Sequence, residues 1–152
     1  MKSVLFVCTA NMCRSPMAEG LFRALVSADS NSWRVESAGV AAFEGASATL
    51  KAIQTLAEKG IDITQHRSRP IDRALMQEFR LILVMEHRHK QLLQAEFPQY
   101  ADRVYLLSEM IGRDEEISDP AGGTLDEYRQ TAAEIEKILH SGYQRIEKLA
   151  QG

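Results

Sequence analysis

Val4-Leu5-Phe6-Val7-Cys8-Thr9-Ala10-Asn11-Met12-Cys13-Arg14-Ser15-Pro16 is the stretch on which the reading of the chain turns. Its first four residues are apolar and partly β-branched, which predicts a short buried strand. Beyond Pro16, the residues Met17, Ala18, Leu21, Phe22 and Leu25 recur at helical spacing. Ser15 suits an N-cap, Pro16 the first helical position and Glu19 the first turns. Cys8 to Ser15 is then a tight loop between a strand end and a helix start. A helix N-terminus points free N–H groups and the positive end of its dipole at whatever the loop encloses. Arg14 adds a planar fork suited to two oxygens of a phosphate. In that field Cys8 is expected as the thiolate, the nucleophilic form. An oxyanion cradle with a thiolate in it implies attack on a bound phosphoryl group.

The remainder of the chain is compatible with that chemistry. At 152 residues it is expected to form a single domain over 1–152, with 45% hydrophobic and 26% charged residues. A net charge of −3 gives no general attraction to nucleic acid or to anionic membranes. No apolar run approaches the roughly 20 residues of a membrane span, and Met-Lys-Ser-Val is too short an opening for a signal peptide. Both cysteines lie in one loop, which makes no disulfide framework and points to a reducing cytoplasm.

In chain order, a helix is predicted over 15–27 and a strand over Trp33–Ser37, closed by Ala38-Gly39. Leu50, Ile53, Leu56 and Ala57 mark a second helix stopped at Gly60. A short helical piece follows Pro70, around residues 71–77. Leu81-Ile82-Leu83-Val84-Met85 reads as a buried parallel-sheet strand, a helix is expected over 86–96, and Val104–Leu107 is the last strand. Asp119-Pro120 and Gly122-Gly123 keep the next segment irregular. One long amphipathic helix is predicted from Thr124 to Leu149. Strands alternating with helices predict an α/β fold, a doubly wound four-stranded parallel sheet with helices on both faces. Such sheets bind ligands at the carboxyl ends of their strands, where the Cys8 loop leaves the first predicted strand.

Asp119 ordinarily would start a turn. On a late loop of such a sheet it can also reach the mouth of the site, where phosphoester cleavage needs a general acid. His87 and His89 are two apart in a predicted helix and face different ways, so no metal site is expected. The charge run Arg113-Asp114-Glu115-Glu116 is read as a solvated loop.

Taken together, Val7 to Pro16, Ser37-Ala38-Gly39, Gly60-Ile61, His66, Val84-Met85 and Asp119-Pro120 resemble the low-molecular-weight protein-tyrosine-phosphatase family over essentially the whole chain. The resemblance implies that Cys8 forms a cysteinyl-phosphate while Arg14 and the backbone N–H groups of Thr9, Ala10, Asn11, Met12 and Cys13 hold the phosphoryl oxygens. It implies that Asp119 protonates the leaving group and then activates water, and that Ser15 donates to the Cys8 sulfur. Asn11, Ser37 and His66 become a buried network supporting the loop. Neither metal nor organic cofactor is implied, and the expected partner is a phosphorylated protein acted on by a monomer.

Ala10 stands where the family usually has glycine, and Met12 where isoleucine is common. Ala121-Gly122-Gly123 replaces the aromatic residues many members carry after Asp-Pro. The segment from Asp119 to Gln130 resembles Gram-positive bacterial members, whose relatives include protein-arginine phosphatases that typically carry threonine at position 12. Phe43 lies where many tyrosine-specific members place an aromatic wall, which favours phosphotyrosine. Arsenate reductase, built on the same fold, needs further cysteines beyond the loop, and this chain has only Cys8 and Cys13.

Overall fold

The computed structural model describes residues 1–152 and places β1 (Lys2–Cys8) in the interior of a four-stranded sheet. The other strands are β2 (Trp33–Gly39), β3 (Leu81–Val84) and β4 (Val104–Leu106). Their spatial order is β2-β1-β3-β4, and every pair is parallel. The chain steps from β1 to β2 on one side, then crosses back to place β3 on the other. The crevice beyond the carboxyl ends of β1 and β3 is thus the topological switch point, the place where doubly wound sheets bind ligands.

Alternation along β1 sends its side chains to two cores. Val4 and Phe6 join the larger one with Met17 and Phe22 of α1 (Arg14–Leu25), Ile135 of α5 (Leu125–Ser141) and Ile146 of α6 (Tyr143–Ala150). Leu5 and Val7 join Leu75 and Met76 of α3 (Arg73–Glu78) and Leu93 of α4 (His87–Glu96). Helix α2 (Leu50–Ala57) packs beside α1 and α5. Helices therefore cover both faces, as predicted.

Two local expectations are corrected. Helix α1 begins one residue early, at Arg14, with Cys13 in the cap position and no side-chain cap. Ser15 is fully buried and bonds elsewhere, so it is not an N-cap. The single helix expected over 124–149 is two helices, parted at Gly142. A Cβ there would sit 2.8 Å from Cβ of Met110 and 2.9 Å from the Ile138 carbonyl oxygen. The bare backbone lets the chain press against the Met110 turn and change direction. The start of α5 agrees with its sequence: Thr124 and Glu127 form a reciprocal capping box.

Candidate active site

Cys8 ends β1, and its sulfur lies 3.0 Å from Oγ of Ser15 on the first turn of α1. Donor and acceptor roles follow from the neighbours. Asn11 Nδ2 can only donate, and it gives its two protons to Ser15 Oγ at 2.8 Å and to Ser37 Oγ at 3.0 Å. Ser15 Oγ accepts from Asn11 and keeps its own proton, which a deprotonated Cys8 sulfur 3.0 Å away would accept. Ser37 passes its proton on to Glu19 Oε1. On the other side, Asn11 Oδ1 accepts from the Arg69 N–H at 3.0 Å, and the Asn11 carbonyl pairs with His66 Nε2 at 2.7 Å. The network expected of Asn11, Ser37 and His66 is therefore present, and Glu19 and Arg69 extend it.

This network holds a backbone that would otherwise relax. Asn11 has φ +59°, the one non-glycine residue with positive φ, in a region that asparagine tolerates better than most. Ala10 is not in that region, so the loop has no conformational need for glycine at position 10. The need lies in β2 instead. A Cβ on Gly39 would come within 2.6 Å of the Thr9 carbonyl oxygen and 3.0 Å of the Asn11 nitrogen. Gly39 thus lets β2 run against the phosphate loop, whose carbonyls at Cys8, Thr9 and Met12 accept from Val40, Ala41 and Thr49.

Arg14 is 1% exposed although it carries a charge at a helix N-terminus. Its Nη1 donates to the Ile117 carbonyl at 2.7 Å, and Nη2 meets Glu86 Oε2 at 2.6 Å and Asp119 Oδ2 at 3.6 Å. Burial pushes the Glu86 carboxyl up, but hydrogen bonds from Arg88 and Arg14 outweigh it and hold it down at about 2. Asp119 is 46% exposed on its loop and accepts the Ala121 N–H in a turn. The structure thus pairs Cys8 with Ser15 and Arg14 with Asp119, the two pairs joined through adjacent residues at the start of α1.

Cys13 is buried, with its sulfur 3.3 Å from Oη of Tyr128 and 3.6 Å from Oγ1 of Thr49. Burial raises the pKa of the Cys13 thiol, so it remains protonated and faces the core rather than the nucleophile's chemistry. Burial also pushes the Tyr128 hydroxyl up to about 12. Met12 is half-buried, with part of its side chain packed on the larger core. Phe43 is 84% exposed on the loop that borders the phosphate loop.

Residues of the β3–α4 junction were not anticipated from the sequence. Glu86 holds Arg14, Arg88 joins Glu86 Oε1 to Thr9 Oγ1 at 2.7 Å each, and buried His89 meets Thr9 Oγ1 at 2.9 Å. The signal lay in their position just past a buried strand, but only the strand order shows that β3 neighbours β1.

A cysteine sulfur against a serine hydroxyl, a buried arginine and a carboxylate at the switch point of a doubly wound sheet are the components of a cysteine-dependent phosphatase site. The family model described as low molecular weight phosphotyrosine protein phosphatase matches residues 3–151. The chain is 40% identical to a protein-arginine-phosphatase of Bacillus subtilis, covering 95% of this chain and 97% of that protein. It is 35% identical to a probable low molecular weight protein-tyrosine-phosphatase, EpsP, of Ralstonia nicotianae, covering 97% and 98%. Among solved structures, a cysteine-to-serine mutant of YwlE arginine phosphatase with a phosphorylated active-site serine superposes with a TM-score of 0.91. It is 39% identical over 96% of both chains. A low molecular weight protein tyrosine phosphatase from T. tengcongensis gives a TM-score of 0.91 at 38% identity, covering 95% of this chain and 99% of that one. The chain belongs to the low molecular weight phosphotyrosine protein phosphatase family. It is a cysteine-based protein phosphatase of the bacterial type, and its substrates are phosphorylated proteins.

Proposed function

We propose that the protein dephosphorylates phosphotyrosine in other proteins, with Cys8 as nucleophile, Arg14 as oxyanion clamp and Asp119 as general acid. The carrying observation is the 3.0 Å Ser15–Cys8 contact, which runs from the hydroxyl to the sulfur once Cys8 is in the thiolate form that a nucleophile needs. In the first step the Cys8 sulfur bonds to phosphorus and the bond to the tyrosyl oxygen breaks, while Asp119 gives that oxygen a proton. Arg14, held by Glu86, turns its guanidinium to phosphoryl oxygens in place of the long contact with Asp119, and backbone N–H groups of residues 9–14 supply the rest of the cradle. In the second step Asp119 takes a proton from water, water oxygen bonds to phosphorus, and the sulfur leaves, its charge stabilised by the Ser15 hydroxyl.

Phe43, exposed on the neighbouring loop, and Met12, half-buried within the phosphate loop, offer apolar side chains suited to a phenyl ring. Dephosphorylation of phosphoarginine is the second reading. It is favoured by the relatives from Bacillus subtilis and Geobacillus stearothermophilus, both named protein-arginine-phosphatase, at 40% and 37% identity. Measuring kcat/KM on matched phosphotyrosine and phosphoarginine peptides separates the two. Wild type is expected to favour phosphotyrosine about tenfold or more, and Met12→Thr to shrink that ratio by exchanging apolar contact for a hydroxyl. A wild-type preference for phosphoarginine overturns the first reading. No helix is long and apolar enough to cross a membrane. Both cysteines are free thiols, which supports our reading of a monomer working in a reducing cytoplasm.

A further inference from the structure

The mechanism so far leaves one buried titratable group unused. His89 is completely buried beneath Thr9, and its Nδ1 has no hydrogen-bond partner. Its Nε2 lies 2.9 Å from Thr9 Oγ1, and the same oxygen takes a second contact, from Arg88 Nη2 at 2.7 Å. Burial pushes His89 down to about 4, so at neutral pH the ring carries one proton.

Where that proton sits follows from counting donors. A guanidinium only donates, so Arg88 takes one lone pair of Thr9 Oγ1. Were the histidine proton on Nδ1, a buried N–H would be left without an acceptor, a rare and costly arrangement. On Nε2 the proton bonds to the second lone pair of Thr9 Oγ1, and the unpartnered atom is only an acceptor. Both acceptor positions of Thr9 are then filled from behind, and its own hydroxyl proton has no partner within the protein. Thr9 directly follows the nucleophile, in the loop that encloses the phosphoryl group, and it is only half-buried.

Resting on the phosphatase reading above, we propose that Thr9 is a side-chain hydrogen-bond donor to the bound phosphoryl group, and that His89 and Arg88 are positioning residues that hold its hydroxyl in the donating orientation. Arg88 has a second role, because its Nε also bonds Glu86, which holds Arg14. The β3–α4 junction thereby connects the second and the last-but-one residues of the phosphate loop. The ligand chemistry this selects is a tetrahedral oxyanion with an oxygen turned toward Thr9.

The test reads inhibition by inorganic phosphate, with p-nitrophenyl phosphate as substrate. Thr9→Val keeps the shape and removes the proton; His89→Phe keeps the ring and removes the donor behind it. Each is expected to raise the phosphate Ki about tenfold or more, the size of one hydrogen bond to a charged oxygen. Because the residues act through one proton, the double variant is expected to lose no more than about threefold beyond the weaker-binding single variant. Thr9→Ser, and His89→Gln with its N–H near the Nε2 position, are expected to recover binding to within about threefold of wild type. A Ki for Thr9→Val within twofold of wild type overturns the inference, as does a double variant whose loss is the full product of the single losses. A fall in thermal stability of His89→Phe with unchanged Ki reduces His89 to a packing residue and also overturns it. If His89→Phe does not fold, the Thr9→Val and Thr9→Ser pair decides the hydroxyl's role and His89→Gln that of the histidine. Cys8→Ser run alongside keeps the two readings apart. If it remains active, the assignment of Cys8 as nucleophile fails; if it is dead while Thr9→Val binds normally, only the Thr9 inference falls.

Discussion

The phosphate loop and the loop carrying Asp119 meet at Arg14, yet they are built in opposite ways. In the first, Asn11, Arg14 and Ser15 are at most 1% exposed, and the Asn11 side-chain amide spends both its protons and its oxygen on named partners. In the second, Asp119 is 46% exposed, held by one turn hydrogen bond and by a 3.6 Å contact to Arg14. On the proposed mechanism, the difference matches the part of the reaction each loop would serve. Stabilising a phosphoryl group works best with donors fixed in advance, because reorganising them at the moment of reaction costs rate. Proton delivery must instead follow leaving groups of different shape, and a partly exposed side chain on a loop can do so. Glu86 stands between the two, since its hold on Arg14 belongs to the rigid side and its position to the mouth.

The comparison is sharpened most by removing the acid. Asp119→Ala is expected to slow phenyl phosphate about 10²–10⁴-fold, the usual range for a general acid. In kcat/KM, which reports formation of the intermediate alone, it should slow p-nitrophenyl phosphate far less, because that leaving group departs without a proton. Plotting log kcat/KM against leaving-group pKa checks this, with a steeper negative slope expected for the variant. Equal slowing across the series would take Asp119 out of the acid role.

Breaking the rigid side has a different signature. Asn11→Ala strips the partners from Ser15, Ser37 and the Arg69 N–H and places alanine at a positive φ. A stability loss of about 2–3 kcal/mol is expected, the scale of unsatisfied buried polar groups, with turnover falling about tenfold or more on good and poor leaving groups alike. Denaturant unfolding and the same leaving-group series report the two effects. A slope that changed as it does for Asp119→Ala would erase the distinction between the loops.

The smallest effect concerns Glu86. Its folded pKa, at about 2, lies below the ordinary 4.5, so its contribution to stability is fully present above about pH 4.5 and is lost as pH falls toward 2. Glu86→Gln should be less stable than wild type at pH 7, and the gap should close through that acid window. Unfolding free energies at pH 7, 4 and 3 check the sign; a gap that widened on acidification would contradict it.

Much of this was legible in the sequence because it is local. A buried run before Cys8, a helix period after Pro16, and an arginine at a helix start carry their own physical meaning, as does Asp-Pro on a late loop. What escaped depends on strand order and close approach. Glu86, Arg88 and His89 follow β3, and nothing local reveals that β3 lies beside β1 and so delivers them to the phosphate loop. His89, two residues from His87 in a predicted helix, shows in the sequence only that it makes no metal pair. Tyr128 falls within the predicted amphipathic helix, and only the packed structure shows its hydroxyl reaching Cys13 and Thr49. Gly142 lay in an unbroken amphipathic pattern, and only contact with Met110 explains the break. Ser15 misled in the other direction: it has a good N-cap composition, but the stronger claim on its hydroxyl comes from Asn11 and Cys8.

The central claim is that phosphate passes through the Cys8 sulfur, and trapping that intermediate tests it most directly. Asp119→Ala should form the intermediate readily from p-nitrophenyl phosphate but hydrolyse it slowly, since water then lacks its base. Rapid acid quench of that variant followed by peptide mass mapping is expected to find a phosphate-mass adduct on Cys8, accumulating within the first turnover. The adduct should be missing when Cys8→Ser is added to the same protein, and that double variant should not turn over. Steady turnover by Asp119→Ala with Cys8 unmodified throughout, or by the double variant, would contradict the account.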